Sequence, residues 1–472
     1  MSAQPVNPNL PPDHVTVFID GVELAAPKGS MIIQVADKAG IPIPRFCYHD
    51  KLAIAANCRM CLVDTEVGGR AAPKPSPACA TPVMDGMKVF TRNEKALKSQ
   101  RNVLEFLLIN HPLDCPVCDQ GGECELQDLS LGYGRSVSRF VERKRVVPDE
   151  DIGPLVATEM TRCIQCTRCV RFTGEIAGTY ELGGMYRGEN LQIGTYDGKP
   201  LTTELSGNVI DVCPVGALTN KVFQFRARPW ELIAKESLGY HDALGSNLFL
   251  HSRRGEVLRA VPRENELVNE CWLSDRDRYS HQGLDATDRA TVPLVKAGGE
   301  WKEATWAEAL SAAAAILRDN KGDDLGVLAH PATSNEEGGL LAALAAALGT
   351  GNIDHRIANR DFSDAAVAEP FALPVSEIEQ ADAIVVVGSN IRHELPLLHA
   401  RLRKAQTKHG ARIHVVNPVD FDFTFAAAGK HIVPPSGFAG VLGGAELRGA
   451  LQGATRPVVI VGAIAEHTGN LN

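Results

Sequence analysis

Residues 163–169 read Cys163-Ile164-Gln165-Cys166-Thr167-Arg168-Cys169, and residues 213–214 read Cys213-Pro214. The first stretch is C-x2-C-x2-C. In a bacterial two-cluster ferredoxin, C-x3-C-P completes that run, and its fourth cysteine ligates the other cluster. Here Thr173 stands four places after Cys169, and the Cys-Pro pair comes only after 43 intervening residues, with no second triplet before it. The remote Cys213 is therefore expected to close the triplet into one [4Fe–4S] site, and the second cluster of the pattern has no ligands. Soft thiolates also suit zinc, so a zinc ribbon is the alternative reading of these four residues.

Upstream, His111-Pro112-Leu113-Asp114-Cys115-Pro116-Val117-Cys118 continues through Asp119-Gln120-Gly121-Gly122-Glu123 to Cys124, giving H-x3-C-x2-C-x5-C. Alone, His111 at a helix end reads as a cap residue. Three cysteines in the next 13 residues make it a candidate fourth ligand beside Cys115, Cys118 and Cys124. Its neutral imidazole would leave such a cluster less negative than an all-thiolate one, and charge is one lever on reduction potential. Further upstream, Cys47, Cys58, Cys61 and Cys79 are spaced C-x10-C-x2-C-x17-C. A plant-type [2Fe–2S] ferredoxin has a tight triplet in a loop and a distant fourth cysteine. The first gap here is longer, and spacing alone leaves zinc open. The surrounding strand–helix pattern favours the iron–sulfur reading.

Eleven of the 12 cysteines lie within residues 1–213, and only Cys271 lies beyond. Residues 1–15 hold no apolar stretch of the secretory kind, so a reducing compartment is expected and a disulfide framework is not. The formal net charge of −9 gives no basic nucleic-acid footprint. The most apolar windows, 340–348, 383–388 and 458–463, are too short to span a bilayer, so no direct membrane insertion is expected. Arg135, Arg139, Arg143, Lys144 and Arg145 against one Glu142 read as a solvated basic face.

Along the chain, residues 1–13 read as a loose arm. A hairpin is expected over 15–25, turning at Gly21. A helix over 31–38 follows, with Ser30 as N-cap and Gly40 near its end. Strands are expected at 62–67, around Val83 and at 88–91. Apolar residues at 97, 103, 104, 107 and 108 predict an amphipathic helix over 93–110, which Pro112 ends. A hairpin is expected over 247–261. Beyond 290, strands at 325–329, 383–388, 412–417 and 457–462 alternate with helices at 336–348 and 395–407, which argues a parallel α/β sheet. The last strand lacks a closing helix, so this domain reads as incomplete. No G-x-G-x-x-G dinucleotide fingerprint is present, and a flavin is not expected on this chain.

Three motifs in fixed order carry a resemblance: the first cysteine loop, HPLDCPVCDQGGECELQD, and CIQCTRCVRF with a remote DVCPVGALT. Together they resemble the large iron–sulfur subunit (75-kDa type) of respiratory complex I, the proton-pumping NADH:quinone oxidoreductase. The region after 231 is similar, more loosely, to a molybdopterin-oxidoreductase fold. The resemblance implies a multidomain α+β and α/β chain. Its order is a β-grasp [2Fe–2S] ferredoxin domain over 14–92, a His/Cys cluster segment over 93–133 and a [4Fe–4S] ferredoxin-like domain over 134–230. A cluster-less domain over 231–290 and a truncated α/β domain over 291–472 follow.

By matching position the resemblance implies one [2Fe–2S] cluster on Cys47, Cys58, Cys61 and Cys79. It implies two [4Fe–4S] clusters, on His111, Cys115, Cys118 and Cys124 and on Cys163, Cys166, Cys169 and Cys213. Some bacterial relatives hold a further cluster just after 231. This chain reads Leu238-Gly239-Tyr240-His241 there, so that cluster and a molybdenum cofactor are expected to be absent, with Cys271 a structural thiol. The implied role is electron relay with no substrate site of its own. Implied partners are the flavin/NADH-binding subunit, a small [2Fe–2S] subunit, a two-[4Fe–4S] ferredoxin-like subunit and the quinone-site subunit, and no nucleic acid. The implied location is the cytoplasmic face of a bacterial inner membrane, or the matrix side in mitochondria. A subunit of a formate dehydrogenase or NAD-reducing hydrogenase is the nearest alternative, and a structural zinc protein is the rival of another class.

Overall fold

The computed structural model describes residues 11–355 and 373–466. The arm at 1–10 and part of the α/β region thus lie outside the described residues. Two compact units emerge, one of Met1–Lys235 with His251–Val261, the other of Glu236–Leu250 with Pro262–Asn472.

The first unit begins with a mixed sheet. Strands His14–Ile19 and Val22–Pro27 pair antiparallel around Asp20-Gly21. Both turn residues have positive φ (48° and 86°), the geometry that matches strand twist in a two-residue hairpin. Met87–Phe90 adds parallel to the first strand and antiparallel to Leu62–Val67. Helix Ile32–Lys38 covers the sheet, burying Ile32, Ile33, Val35 and Ala36 against Val17, Ile19, Val63, Met87 and Val89. Each fully buried aliphatic side chain there contributes about 1.5–3 kcal/mol. Cys61 and Cys79 belong to the same core, so the first thiol group is rooted in the sheet rather than hung from a loop.

Two expectations are corrected here. The N-cap is Met31, not Ser30: the Gln34 side chain accepts from the Met31 N–H at 2.9 Å. Residue 83 is not in a strand; only an isolated bridge, Met31 to Pro82, forms there, because Ser30 and Met31 take up the pairing.

Helix Glu94–Leu108 starts at Asn93, whose side chain accepts from Ala96 N at 2.9 Å. Gln100 is fully buried in it and donates to the Leu62 carbonyl at 3.0 Å, tying the helix to the sheet. The basic stretch after it is not simply a solvated face. Lys144 Nζ donates to the carbonyls of Leu108 and Ile109 at 2.9 and 2.8 Å, capping the helix C-terminus where a cation is favoured. Arg139 pairs with Glu105 at 2.6 Å, so the segment straps the helix.

The next part has the logic of a ferredoxin half. Strand Val156–Thr158 pairs antiparallel with Leu218–Asn220, with Leu218 opposite Thr158. Cys163 lies five residues after one strand and Cys213 five residues before the other, so the ladder brings triplet and remote cysteine to the same end. Helix Arg168–Arg171 follows the triplet, and helix Asn208–Val212 runs into Cys213. A three-stranded sheet of Ile233–Leu238, Asn247–Arg253 and Glu256–Pro262 comes next.

In the second unit, four parallel strands stand in the order Gly429–Ile432, Arg412–Asn417, Ala383–Val387, Pro457–Val461. Helix Pro396–His409 packs on one face, with Leu398 and Leu402 in a core with Ile384, Val386, Ile413 and Val415. Leu447, on helix Ala445–Gln452, joins Val385, Val387, Val416 and Phe438 in a second core. The expected single sheet is corrected. Val327–Leu328 pairs with Ile353–Asp354 in its own two-stranded piece, and a short helix, Ala463–Glu466, follows the strand that reads as the last.

Candidate metal centres

The loop carrying Cys47 and Cys58 leaves helix Ile32–Lys38 and re-enters the sheet at Cys61, one residue before strand Leu62–Val67. The structure brings all four thiols of this group together. Cys47 shares side-chain hydrogen bonds with Cys58 and Cys79, and Cys61 shares one with Cys79. Those contacts lower the Cys47 and Cys61 thiols and raise those of Cys58 and Cys79. The Cys47 amide donates to Cys58 Sγ at 3.3 Å. Ala56 and Arg59 take left-handed conformations (φ 52° and 59°) on either side of Cys58, a strained arrangement for residues with a Cβ.

The third group is more deeply placed. Cys166, Cys169 and Cys213 are buried. Burial pushes Cys163 and Cys213 up to about 11 and Cys166 up to about 12, and the charges of Cys166, Cys163 and Cys213 add to burial in raising Cys169. Four thiols that oppose one another's ionisation in a desolvated pocket are a donor set that needs a cation to become thiolates. Gln165 and Thr167, between the cysteines, again have positive φ, and the Gln165 amide faces Cys163 Sγ at 3.4 Å.

In the second group, Cys118 and Cys124 are buried and Cys115 is exposed. Burial raises the Cys124 thiol, and the charges of Cys118 and Cys115 raise it further, so the three stand within electrostatic reach of one another. Cys124 also caps helix Glu125–Tyr133. His111 is no helix cap. Burial first, then the charges of Lys144 and Arg162, lower its imidazole to about 4, which keeps it neutral. Its ring hydrogen-bonds the Arg162 backbone, while Nδ1 is buried without a hydrogen-bond partner. A neutral ring fixed through one nitrogen and idle at the other has the form of a metal ligand. Gly216 shapes the same site, since a Cβ there would stand 2.2 Å from Cys118 Sγ. The residues of all three groups therefore fit iron–sulfur clusters, which would supply one-electron transfer.

Three arginines that spacing arguments passed over join the groups. Arg168 is buried and donates to the Tyr48 carbonyl at 2.9 Å, to Glu125 at 2.8 Å and to the Val212 carbonyl at 3.5 Å. Those acceptors adjoin Cys47, Cys124 and Cys213, one from each group. Arg171 donates to the Cys47 carbonyl at 2.5 Å and to the Cys166 carbonyl at 3.2 Å. Arg162 reaches Asp114 at 3.0 Å and the Gly216 carbonyl at 3.4 Å. The only hint in sequence was their place inside or beside the cysteine triplet. No disulfide joins any of the twelve cysteines.

Family models match in the same order along the chain. A 2Fe-2S iron-sulfur cluster binding domain covers 13–94 and the NADH-ubiquinone oxidoreductase-G iron-sulfur binding region 100–139. The ferredoxin-like domain of NADH-quinone oxidoreductase subunit 3 covers 153–219 and the NDSU1/NuoG-like 4Fe-4S domain 233–282. Molybdopterin oxidoreductase matches 289–471. The mitochondrial NADH dehydrogenase [ubiquinone] iron-sulfur protein 1 of Solanum tuberosum is 43% identical over 460 residues, 96% of this chain and 61% of its own. The mitochondrial NADH-ubiquinone oxidoreductase 78 kDa subunit of Neurospora crassa is 45% identical, covering 98% and 62%. The NADH-ubiquinone oxidoreductase 75 kDa subunit of Reclinomonas americana is 44% identical, covering 86% and 60%. A solved NAD+-reducing [NiFe]-hydrogenase in the H2-reduced state is similar at a TM-score of 0.41 and 27% identity, over 45% of this chain and 90% of that one. The chain thus spans about three fifths of the length of these curated relatives. Among the described residues no helix is long and apolar enough to cross a membrane. The domain order supports several iron–sulfur clusters, and the chain closely resembles the large, 75-kDa-type iron–sulfur subunit of complex I.

Proposed function

We propose that this chain is an electron-relay subunit of a proton-translocating NADH:quinone oxidoreductase. It takes electrons that originate at a flavin-bearing, NADH-oxidising partner and passes them towards quinone through other iron–sulfur subunits. Cys47, Cys58, Cys61 and Cys79 hold a [2Fe–2S] cluster. His111, Cys115, Cys118 and Cys124 hold one [4Fe–4S] cluster, and Cys163, Cys166, Cys169 and Cys213 hold another. The domain over 233–282 holds none, because its one thiol, Cys271, cannot supply a four-ligand set. The partners are the flavin/NADH-binding, small [2Fe–2S], two-[4Fe–4S] and quinone-site subunits. Through them the chain lies peripherally at the cytoplasmic face of a bacterial inner membrane, or the matrix side in mitochondria.

The observation that carries this reading is Arg168, one buried side chain bonded beside all three ligand groups. A relay needs its carriers held at fixed short separations, since the protein's contribution to cofactor chemistry is placement and electrostatics. Arg168, with Arg171, binds backbone carbonyls and so fixes the loops themselves. Amides aimed at sulfur, at Cys58 and Cys163, lower the charge density on the thiolates and tune potential.

The test is anaerobic purification with iron, sulfide, zinc and molybdenum counted, and EPR after dithionite reduction. About ten irons per chain are expected, as one two-iron and two four-iron clusters. Colourless protein carrying zinc and no sulfide would refute the relay. A further four-iron signal would refute the reading of 233–282.

A further inference from the structure

The α/β sheet of the second unit carries a set of donors that the relay does not use. His414 lies on strand Arg412–Asn417 and His431 on the adjacent parallel strand Gly429–Ile432. The register sets His414 opposite Gly429 and Val416 opposite His431, so both imidazoles rise from one face of the sheet. Glu446 sits in the first turn of helix Ala445–Gln452, which covers that face. We propose that His414, His431 and Glu446 form a binding site for a zinc-class divalent cation.

Several observations converge on one point in space. His414 Nδ1, His431 Nε2 and a Glu446 carboxylate oxygen lie within 4.8 Å of one another. Each nitrogen stands 3.9 Å from Glu446 Oε1, beyond hydrogen-bond range. Both nitrogens are buried and neither has a hydrogen-bond partner. His414 is itself only 6% exposed. Buried polar atoms in native proteins are almost always partnered, and two left idle and aimed at one carboxylate point to an absent cation. The space between them is kept open by Gly429. A Cβ there would stand 2.6 Å from His414 Nδ1 and 3.2 Å from Glu446 Oε1. Lys430, the nearest cation in sequence, is turned away to Asp420 at 2.7 Å and does not fill the gap.

The donor set selects the metal. Two imidazoles and one carboxylate suit zinc and its first-row neighbours, whereas calcium and magnesium prefer all-oxygen shells. Ligand atoms about 2.0–2.1 Å from a tetrahedral ion stand about 3.4 Å apart, so the two imidazoles, whose nitrogens lie at most 4.8 Å apart, must turn towards each other, and each 3.9 Å nitrogen–carboxylate gap must contract by roughly half an ångström. Glu446 can supply that movement, because its side chain is 64% exposed. With three protein ligands, the fourth position is left to water. The cation would fasten helix Ala445–Gln452 to two strands of the sheet, far in sequence from the thiols and by a chemistry unlike theirs.

The experiment uses the full chain with its iron in place. Zinc sulfate is titrated calorimetrically under anaerobic conditions, then the protein is desalted and zinc and iron are counted together. One zinc per chain is expected to remain with no loss of iron, and zinc should raise the melting temperature. Glu446→Gln, an exposed change that spares the fold, should weaken binding at least tenfold. His431→Asn should abolish retention, and Gly429→Ala should do the same by filling the gap. The proposal is overturned if the unaltered chain retains no zinc. It is equally overturned if zinc enters only as iron leaves, which would place it at the thiols, or if Glu446→Gln and His431→Asn retain zinc undiminished. Because iron is counted in the same sample, failure of this site and failure of the relay reading are distinguished.

Discussion

Replacing Gly216 by alanine should remove the proposed His-containing cluster while leaving the proposed [2Fe–2S] cluster untouched. The new Cβ would lie 2.2 Å from Cys118 Sγ, 3.1 Å from Gln120 Cβ and 3.7 Å from Arg162 Cδ. Ordinary contact begins near 3.4 Å, so the sulfur must retreat by 1.2 Å or more. That is about half of a metal–thiolate bond of ~2.3 Å, too large for a ligand to absorb while staying bonded. Gly216 does not have a positive φ, so alanine there meets no backbone strain and the effect isolates the steric clash. The stability cost of such overpacking is about 1–3 kcal/mol, which the fold should survive. Iron and sulfide counts should drop by about four of about ten irons, and EPR should lose one four-iron signal. Gly132→Ala is the control, because its added Cβ would meet nothing within 4 Å. An alanine variant with all three clusters and unchanged spectra would refute the placement of Cys118. Loss of the all-cysteine cluster instead would show that the backbone from Cys213 to Gly216 yields before the thiol does.

Further outcomes follow from the same geometry. Arg168→Lys keeps the charge but cannot fork to Glu125 and the Tyr48 carbonyl together, so reduced signals should broaden and clusters become more oxygen-labile; indistinguishable EPR and lability would count against Arg168 as the fastener. Lys404 pairs with Glu270 at 2.8 Å and Glu379 at 2.9 Å in a buried network with Arg401. Lys404→Met should cost about 3–5 kcal/mol in urea unfolding of the second unit, and a change below about 0.5 kcal/mol would contradict the network. Burial, then Arg392 and Arg403, lower His399 to about 3, and its Nε2 faces the Thr424 amide at 3.3 Å as an acceptor. The folded value lies below the unfolded ~6.5, so this stability is complete above ~6.5 and drains as pH falls towards about 3. At ~1.4 kcal/mol per unit over a gap of about 3.5 units the loss is on the order of 5 kcal/mol. Melting curves of His399→Gln should therefore be flatter across that window, and an equal slope would remove His399 from the account.

The thiol groups were legible as groups because thiol spacing is a local signal, and the structure brings together the four cysteines of the first group and the four of the third. The long gap from Cys169 to Cys213 was readable because Cys-Pro is itself a ferredoxin mark, and the ladder of Val156–Thr158 with Leu218–Asn220 is what closes it. The Ser30 cap misled because a serine before an apolar run is the stronger local pattern, yet the amides of Ile32 and Ile33 go to the distant carbonyls of Thr81 and Ala78, and Gln34 takes the Met31 amide. The basic stretch after Arg135 looked solvated because its acceptors, the carbonyls of Leu108 and Ile109, have no side-chain signature. The His414–His431–Glu446 set left no trace at all. Its members are 17 and 15 residues apart on different elements, and only parallel strand register gathers them.

The three thiol groups differ in what holds them. Cys61 and Cys79 sit in the core of the N-terminal sheet, so apolar packing positions half of this thiol group. The third group has the opposite character. Its thiols oppose one another's ionisation, so without a cation the pocket holds its protons, and a metal entering there would have to expel them. The second group leans on the third: Cys124 faces the Pro214 carbonyl at 3.8 Å and Cys118 lies against Gly216, both within three residues of Cys213. A displacement of the segment after Cys213 would therefore be expected to disturb the Cys118 and Cys124 positions too. Arg168 and Arg171 reach from the third group to the carbonyls of Tyr48 and Cys47, so they tie the loop of the first group to the third. The expected order of dependence runs from a first group anchored in the sheet core to a second and third group coupled through the segment from Cys213 to Gly216.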